Sequence, residues 1–258
     1  MTLPTPYYDE GGITIYCGDC LDVLGETSGI DLVFTSPPYN LSGGGWNLRG
    51  RKKEWSRLAE GYLSYGDGMP HAEYIEWQRS VLSACWGTLA DAGAIFYNHK
   101  QILRGNRATL PTDLVPAVLP IRQILTWDRG AGFQRNTTHY VPRTEWIILI
   151  AKAAFRTTTR VEWDLWRVPP TADEEHPATF PLALPVKAIS STPCETVLDP
   201  FMGSGTTLVA AKALGRRAIG IEIEERYCEI AVNRLRQGVL DFGVAAAEPV
   251  ADQGDLWG

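Results

Sequence analysis

Apolar residues fall along this chain in short runs separated by turn-forming clusters, and the runs alternate between strand and helix character. Ile13-Thr14-Ile15-Tyr16 and Ile30-Asp31-Leu32-Val33-Phe34 are short, β-branched and aromatic, as buried strands are. Asp19 to Leu24 reads as a helical turn between them. A helix is expected from about Ala72 to Leu89, ended by Gly93. Strands follow at Ala94 to Tyr97, Arg122 to Trp127 and Thr144 to Ala151, with Pro111, Pro116 and Pro120 punctuating the stretch before the second of them. Further on, Pro185 to Ser190 reads as helix, Thr196-Val197-Leu198 as strand and Leu208 to Leu214 as helix. Ala218 to Ile221 is a further strand and Glu225 to Gln237 the last clear helix. Strands alternating with helices predict an α/β class fold, a single Rossmann-like domain with a doubly wound mixed sheet and loop insertions. No repeat or low-complexity linker divides the chain. Residues 1–242 are therefore expected to form one domain, and the Ala/Glu/Pro/Gly-rich 243–258 a mobile tail.

Two loops carry the chemistry. The first, Thr35-Ser36-Pro37-Pro38-Tyr39-Asn40, begins where the strand 30–34 should end. Its two prolines stop sheet pairing and hold an extended, rigid backbone. That presents the Ser36 hydroxyl, the carbonyls near Pro37 and the Tyr39 ring at the carboxyl edge of a sheet, where open α/β sheets bind ligands. A small polar acceptor, a backbone without donors and an aromatic plate suit the exocyclic amino group of a flat base. A Pro-rich turn that merely caps a strand is the plainer reading of the same residues.

The second loop, Asp199-Pro200-Phe201-Met202-Gly203-Ser204-Gly205-Thr206-Thr207, follows one strand and opens a helix. Gly203 and Gly205 permit a tight turn and close approach of a ligand to the backbone. Free N–H groups at the helix start favour a carboxylate or phosphate. The next strand ends at Glu222, placed to accept hydrogen bonds from both hydroxyls of a ribose. Strand, glycine loop, helix, strand and terminal Glu form a far stronger signal than a bare G-x-G.

Together these residues resemble the DNA amino-methyltransferases, which move methyl from S-adenosyl-L-methionine to an exocyclic amine. That family's catalytic motif, (D/N/S)-P-P-(Y/F/W), is matched by Ser36, Pro37, Pro38 and Tyr39, and its cofactor motif by Asp199 to Thr206. The catalytic motif comes first, the permuted order of the family's β group. Gly18-Asp19-Cys20 looks like the segment that holds the adenine ring, and His176-Pro177-Ala178-Thr179-Phe180-Pro181 like the stretch upstream of the glycine loop. The matches run from about residue 13 to residue 238. The resemblance implies a class I methyltransferase fold, with a catalytic half at about 30–150 and a cofactor half at about 176–238 plus 13–24. It implies cofactor contacts from Asp19, Cys20, Thr35, His176, Pro177, Asp199, Pro200, Phe201, Gly203, Ser204, Gly205, Thr206 and Glu222, and double-stranded DNA as partner. A homodimer and a partner restriction endonuclease are compatible with it. Within the family S-P-P-Y goes with N4-cytosine enzymes and D-P-P-Y with N6-adenine enzymes, so Ser36 favours cytosine, adenine being the alternative.

The chemistry of that reaction assigns roles. A sulfonium activates its own methyl, so the reaction requires no metal and no covalent enzyme intermediate. The amine is a poor nucleophile because its lone pair is delocalised into the ring. Hydrogen bonds from its protons to Ser36 and the carbonyl near Pro37 would return electron density to nitrogen. In-line positioning contributes on the order of 7–11 kcal/mol. The base must leave the duplex stack, and the face of the Tyr39 ring would hold it, with roughly 1–3 kcal/mol of stacking. A neutral serine is a poor final proton acceptor, so the destination of the surplus proton is open at this level.

Composition changes the picture little and charge somewhat more. At 258 residues, 45% apolar and 21% charged, the chain suits an ordinary globular domain. It lacks an uninterrupted apolar run near the roughly 18 residues of a membrane span, and MTLPTPYYDE lacks a signal pattern. Five cysteines, an odd number, fit reduced thiols and a cytoplasmic, nucleoid-associated setting. Cys17-x-x-Cys20 lacks a second ligand pair at metal spacing, so packing beside the adenine ring is the better reading and no metal is expected. The net charge of −6 is awkward for a DNA-binding protein, but the basic residues cluster. Arg49, Arg51, Lys52, Lys53 and Arg57 stand against one Glu54, His99, Lys100, Arg104 and Arg107 form a second basic stretch, and Arg129 and Arg135 belong to a third. Insertions at about 41–70, with Gly43-Gly44-Gly45 as a hinge, and about 100–140 are expected to contact phosphates.

Two readings from other classes compete. A nicotinamide-dependent oxidoreductase would use the glycine loop but leaves Ser36 to Tyr39 without a role. A non-catalytic nucleic-acid-binding protein on the same fold leaves the intact Ser36, Tyr39, Asp199 and Glu222 unexplained. Replacing Lys52, Lys53 and Arg57 by alanine is predicted to weaken DNA binding and flatten its salt dependence while sparing cofactor binding. Binding titrations at several salt concentrations check this, and an unchanged slope returns the cluster to a solvated surface.

Overall fold

The computed structural model describes residues 3–40, 69–104, 106–130, 139–158, 163–170 and 180–237. The 41–68 segment with Gly43 to Gly45, Arg49, Arg51, Lys52, Lys53 and Arg57 lies outside the described residues, as do Arg135, His176, Pro177 and the tail.

Five apolar strands lie side by side because their residues must be covered on both faces. They are β2 (Ile13–Cys17), β11 (Arg217–Glu222), β10 (Thr196–Asp199), β3 (Ile30–Thr35) and β4 (Leu89–His99), all mutually parallel. Ile30, Leu32, Val33 and Phe34 of β3 are all fully buried, as expected of a strand with both faces packed. Beyond β4 the sheet turns antiparallel through β8 (Thr144–Ala151) and β7 (Ile121–Asp128), and β9 (Leu165–Arg167) lies along β7. At the other edge β1 (Tyr8–Glu10) pairs antiparallel with β2. The order among the described residues is β1-β2-β11-β10-β3-β4-β8-β7-β9, with β5 (Ile102–Arg104) and β6 (Arg107–Thr109) as a separate hairpin.

Helices cover the two faces. On one, α1 (Cys20–Leu24) and α2 (His71–Thr88) set Val23, Tyr74, Val81 and Leu82 against Val33, Ile95 and Ile148. Helix α2 buries Tyr74, Gln78, Val81, Leu82 and Cys85, a stripe at three- and four-residue spacing. On the other face α3 (Ala183–Ser190), α4 (Thr206–Ala213) and α5 (Glu225–Arg236) bring Leu184, Leu208 and Ala231 onto Leu32, Phe34 and Phe96. This is the predicted doubly wound mixed sheet.

One expectation is corrected. Gly93 does not end α2, because the helix stops at Thr88 where Leu89 turns extended, and β4 starts there and runs through Gly93. Gly93 instead answers a close approach: a Cβ on it would lie 2.8 Å from the Ile30 carbonyl oxygen, beside a register shift between β3 and β4. The short strands β1, β5, β6 and β9, three residues each, left no pattern long enough to read.

Gly205 serves the fold as well as the loop. Its φ is +81°, and a Cβ there would sit 2.8 Å from the Ala231 Cβ of α5. Gly205→Ala is expected to destabilise the protein by roughly 1–3 kcal/mol through overpacking. Urea unfolding measures this, and a wild-type midpoint contradicts the packing argument.

Candidate active site

The carboxyl ends of the five parallel strands share one edge of the sheet, and both signature loops leave from it. They are joined there by Asp199, which is fully buried at the end of β10. Its Oδ1 accepts from Thr35 Oγ1 at 2.9 Å and from the Phe201 N–H at 3.1 Å, and its Oδ2 accepts from Thr207 Oγ1 at 2.6 Å. Burial pushes its carboxyl up from 3.8 to about 6, against the lowering effect of those three donors. Asp199 and Thr35 therefore stand behind the cleft wall and hold it in place.

The cleft itself is lined by Ser36 and Pro38 from the first loop, and by Pro200, Phe201, Met202, Gly203, Ser204 and Thr206 from the second. Gly18, Asp19, Cys20 and Glu222 complete the polar side. Asp19 caps α1 by accepting from the Leu21 N–H at 2.8 Å. Burial pushes the Cys20 thiol up to about 12, so it is a protonated packing group. Glu222 ties the glycine loop to β11: Oε2 accepts from the Gly203 N–H at 3.1 Å and Oε1 from the Glu224 N–H at 2.9 Å. Gly203 meets it with φ of +49°. Burial raises the Glu222 carboxyl from 4.5 to about 7, and its two oxygens still have lone pairs to offer. From α5, Arg234 reaches the Ser204 carbonyl at 2.7 Å, the Ser204 hydroxyl at 2.8 Å and Thr206 Oγ1 at 3.2 Å.

Trp77, Phe180, Ile223 and Tyr227 also line the cleft. Trp77 on α2 packs its ring 5.4 Å from that of Phe201. Of these four, Phe180 falls within the stretch named upstream of the glycine loop but was given no contact, and the other three were not singled out, because an aromatic or aliphatic side chain beside buried neighbours reads as core.

The first loop ends in a hydrogen-bonded cluster that reaches two strands further along the sheet. Ser36 Oγ lies 2.8 Å from the Tyr39 hydroxyl, which donates to Glu145 Oε2 at 3.0 Å. Asn98 Nδ2, at the end of β4, lies 2.9 Å from the Tyr39 hydroxyl, 3.1 Å from Glu145 Oε2 and 3.3 Å from Ser36 Oγ. Arg129, expected to contact DNA, pairs with Glu145 Oε1 at 3.1 Å. The Tyr39 ring lies 4.4 Å from that of His99, with Lys100 Nζ 5.2 Å from its centre. His99 is fully buried and its pKa is pushed down to about 3 by that burial, so it stays neutral. The Tyr74 hydroxyl lies 2.8 Å from both the Pro38 carbonyl and His99 Nε2. Asn40, with φ of +53°, closes the loop through the Met69 carbonyl at 2.8 Å and Arg104 at 2.6 Å. The sequence carried no sign of Glu145 or Asn98, since a polar residue at a strand end ordinarily faces water.

A model of the N6/N4 DNA methylase family matches residues 30–233. The chain is 28% identical over 279 aligned positions to the type II methyltransferase M.ScaI of Streptomyces caespitosus, covering 90% of this chain and 84% of that protein. It is 27% identical over 274 positions to the DNA adenine methyltransferase YhdJ of Escherichia coli, covering 90% and 85%. Among solved structures, the cytosine-N4-specific PvuII DNA methyltransferase aligns with a TM-score of 0.70 and 19% identity over 89% of this chain and 88% of that one. The DNA modification methylase TTHA0409 of Thermus thermophilus, solved with S-adenosyl-L-methionine, gives a TM-score of 0.63 and 23% identity over 88% and 95%. At these identities the two structures show a shared fold. Among the described residues no helix is long and apolar enough to cross a membrane.

Two buried carboxyls of the site are raised, Asp199 behind the cleft wall from 3.8 to about 6 and Glu222 in the cleft from 4.5 to about 7. The folded protein thus holds protons that the unfolded chain has released, and stability falls on their account as pH rises from about 4 to about 7. Urea unfolding of the ligand-free protein across that range is expected to show the decline. Glu222→Gln, which does not titrate, should flatten its upper part, and an unaltered slope contradicts the burial of Glu222.

Proposed function

This chain belongs to the DNA methylase family of exocyclic-amine methyltransferases, and we propose that it transfers a methyl group from S-adenosyl-L-methionine to N4 of a cytosine flipped out of a specific duplex sequence. The observation that carries this reading is one cleft lined by both signature loops, with Ser36 and Pro38 on one side and the glycine loop and Glu222 on the other.

S-adenosyl-L-methionine supplies a methyl on a cationic sulfur. The residues present suit such a molecule. Glu222 offers carboxylate oxygens toward ribose hydroxyls at the end of β11, the position that acidic residues occupy in nucleotide-binding sheets. Trp77, Phe180, Phe201 and Tyr227 provide flat apolar walls, favourable to an adenine ring and to a cation against an aromatic face. Asp199 acts through Thr35, Phe201 and Thr207, keeping the two loops in one arrangement. Ser36 and the carbonyl beside it would accept hydrogen bonds from the amine of the target base. The bond that the amine donates to Ser36 strengthens as nitrogen becomes tetrahedral, so it lowers the barrier more than it raises affinity.

The choice of cytosine rests on Ser36, the first residue of the motif. Adenine N6 is the second reading, supported by the likeness to a protein described as a DNA adenine methyltransferase. The basic segment from Arg49 to Arg57 is the proposed phosphate-contacting loop. Likeness to type II methyltransferases supports a restriction-modification setting with a partner endonuclease.

Nucleoside mass spectrometry of DNA from an expressing host is expected to show N4-methylcytosine that a vector control lacks. N6-methyladenine in its place selects the second reading. Folded protein that binds S-adenosyl-L-methionine but leaves both bases unmodified defeats the proposal. Ser36→Ala should abolish most of the product while retaining DNA affinity in a binding titration.

A further inference from the structure

Glu145 is the second residue of β8, and β8 runs antiparallel to β4, so its start reaches the edge where β3 and β4 end. Its side chain is 8% exposed, a carboxylate held beside the catalytic motif. The protons in this cluster can be counted. An ionised carboxylate only accepts, and an amide NH₂ only donates. Tyr39 therefore spends its single proton on Glu145 Oε2 at 3.0 Å. Its oxygen is left as an acceptor, so the 2.8 Å contact with Ser36 is a donation from Ser36. Asn98 Nδ2 must also donate, since three oxygens surround it. Ser36 is thus left with no proton to offer the cleft it lines, and with a lone pair to turn toward it.

We propose that Glu145 is a positioning residue that fixes Ser36 as an acceptor toward the amine and, through Tyr39, takes up the proton released on methylation. The inference rests on the methyl-transfer reading of the cleft. The amine lone pair forms the new N–C bond as the C–S bond breaks, its electron pair staying on sulfur. The cationic nitrogen then gives a proton to Ser36 Oγ, Ser36 gives its own to the Tyr39 oxygen, and Tyr39 gives its own to Glu145 Oε2. One O–H forms for each that breaks, and a cation and a carboxylate become two neutral groups. Glu145 returns its proton to water past Arg129, whose side chain is 35% exposed, and the two hydroxyls turn back.

The surroundings fit that direction of travel. Burial and the neighbouring Glu145 charge hold the Tyr39 hydroxyl well above its ordinary range, so it stays a donor. Among the described residues, Glu145 faces Tyr39 from the loop after β3, Asn98 from β4 and Arg129 from the end of β7. Asp128 and Arg143 pair with each other nearby, and Lys100 and neutral His99 flank the Tyr39 ring.

The test is single-turnover methyl transfer to duplex DNA by the full chain, beside calorimetry with S-adenosyl-L-methionine and thermal melts. Glu145→Gln is expected to lower the rate by roughly a hundredfold with cofactor and DNA affinity retained. Glu145→Asp, which keeps a carboxylate beside Tyr39, should restore part of the rate. Tyr39→Phe keeps the ring and cuts the relay, so it should show the same loss, and the double variant should be no worse than either single one. A wild-type rate in Glu145→Gln overturns the relay. Should that variant unfold, a wild-type rate in Tyr39→Phe overturns it alone. A native protein that binds S-adenosyl-L-methionine and methylates no DNA removes the underlying reading and the relay with it. One that methylates while both variants keep pace sinks only the relay.

Discussion

The Asp199 carboxylate lies wholly out of water and has three donors on its two oxygens: Thr35 Oγ1, the Phe201 N–H and Thr207 Oγ1. A carboxylate in that position is costly unless each oxygen is satisfied. Its three donors come from the two signature loops, whose anchor points Thr35 and Asp199 are 164 positions apart. Meeting the hydrogen-bonding requirement of one buried group therefore fixes the relative placement of both loops. The residues that face the cleft inherit their positions from this clasp, which is why Asp199 can govern the site without lining it.

The second loop is also shaped from behind. Arg234 of α5 holds the Ser204 carbonyl, the Ser204 hydroxyl and Thr206, while Ala231 of the same helix leaves no space for a side chain at Gly205. Glu222 takes the Gly203 N–H from the other side. A loop gripped at four successive residues is preorganised, so a ligand need not order it. The glycines meet a steric demand from the protein's own last helix as much as from any ligand.

Strand direction decides what the first loop touches. Had the whole sheet been parallel, the strand beside β4 would have brought its last residues to this edge. Because β8 is antiparallel, its beginning arrives instead, and Glu145 comes with it. The next strand, β7, ends at the same place, and Arg129 directly after it pairs with the second oxygen of Glu145. The mixed sheet thus puts a compensated carboxylate beside Ser36 and Tyr39, where desolvation makes each hydrogen bond count for more than it would in water.

Much of the architecture was legible in the residues alone. Runs such as Ile30 to Phe34 and Thr144 to Ala151 are apolar at nearly every position because their strands pack on both faces, and that demand is written locally. The two loops were legible for a related reason: prolines after a strand and glycines before a helix are local necessities of backbone shape. Gly93 was misread because its constraint comes from the Ile30 carbonyl on a neighbouring strand and not from the helix that precedes its own strand. Asn98 and Glu145 left no trace, since their meaning lies in the pairing of Glu145 with Asn98 and Tyr39, 47 and 106 positions away. The chain by itself determined the elements, their order and the two motifs, all consequences of short-range sterics and periodicity. Only the tertiary structure decided which polar groups share a proton, because a hydrogen bond depends on distances of about 3 Å that strand pairing sets and sequence spacing does not.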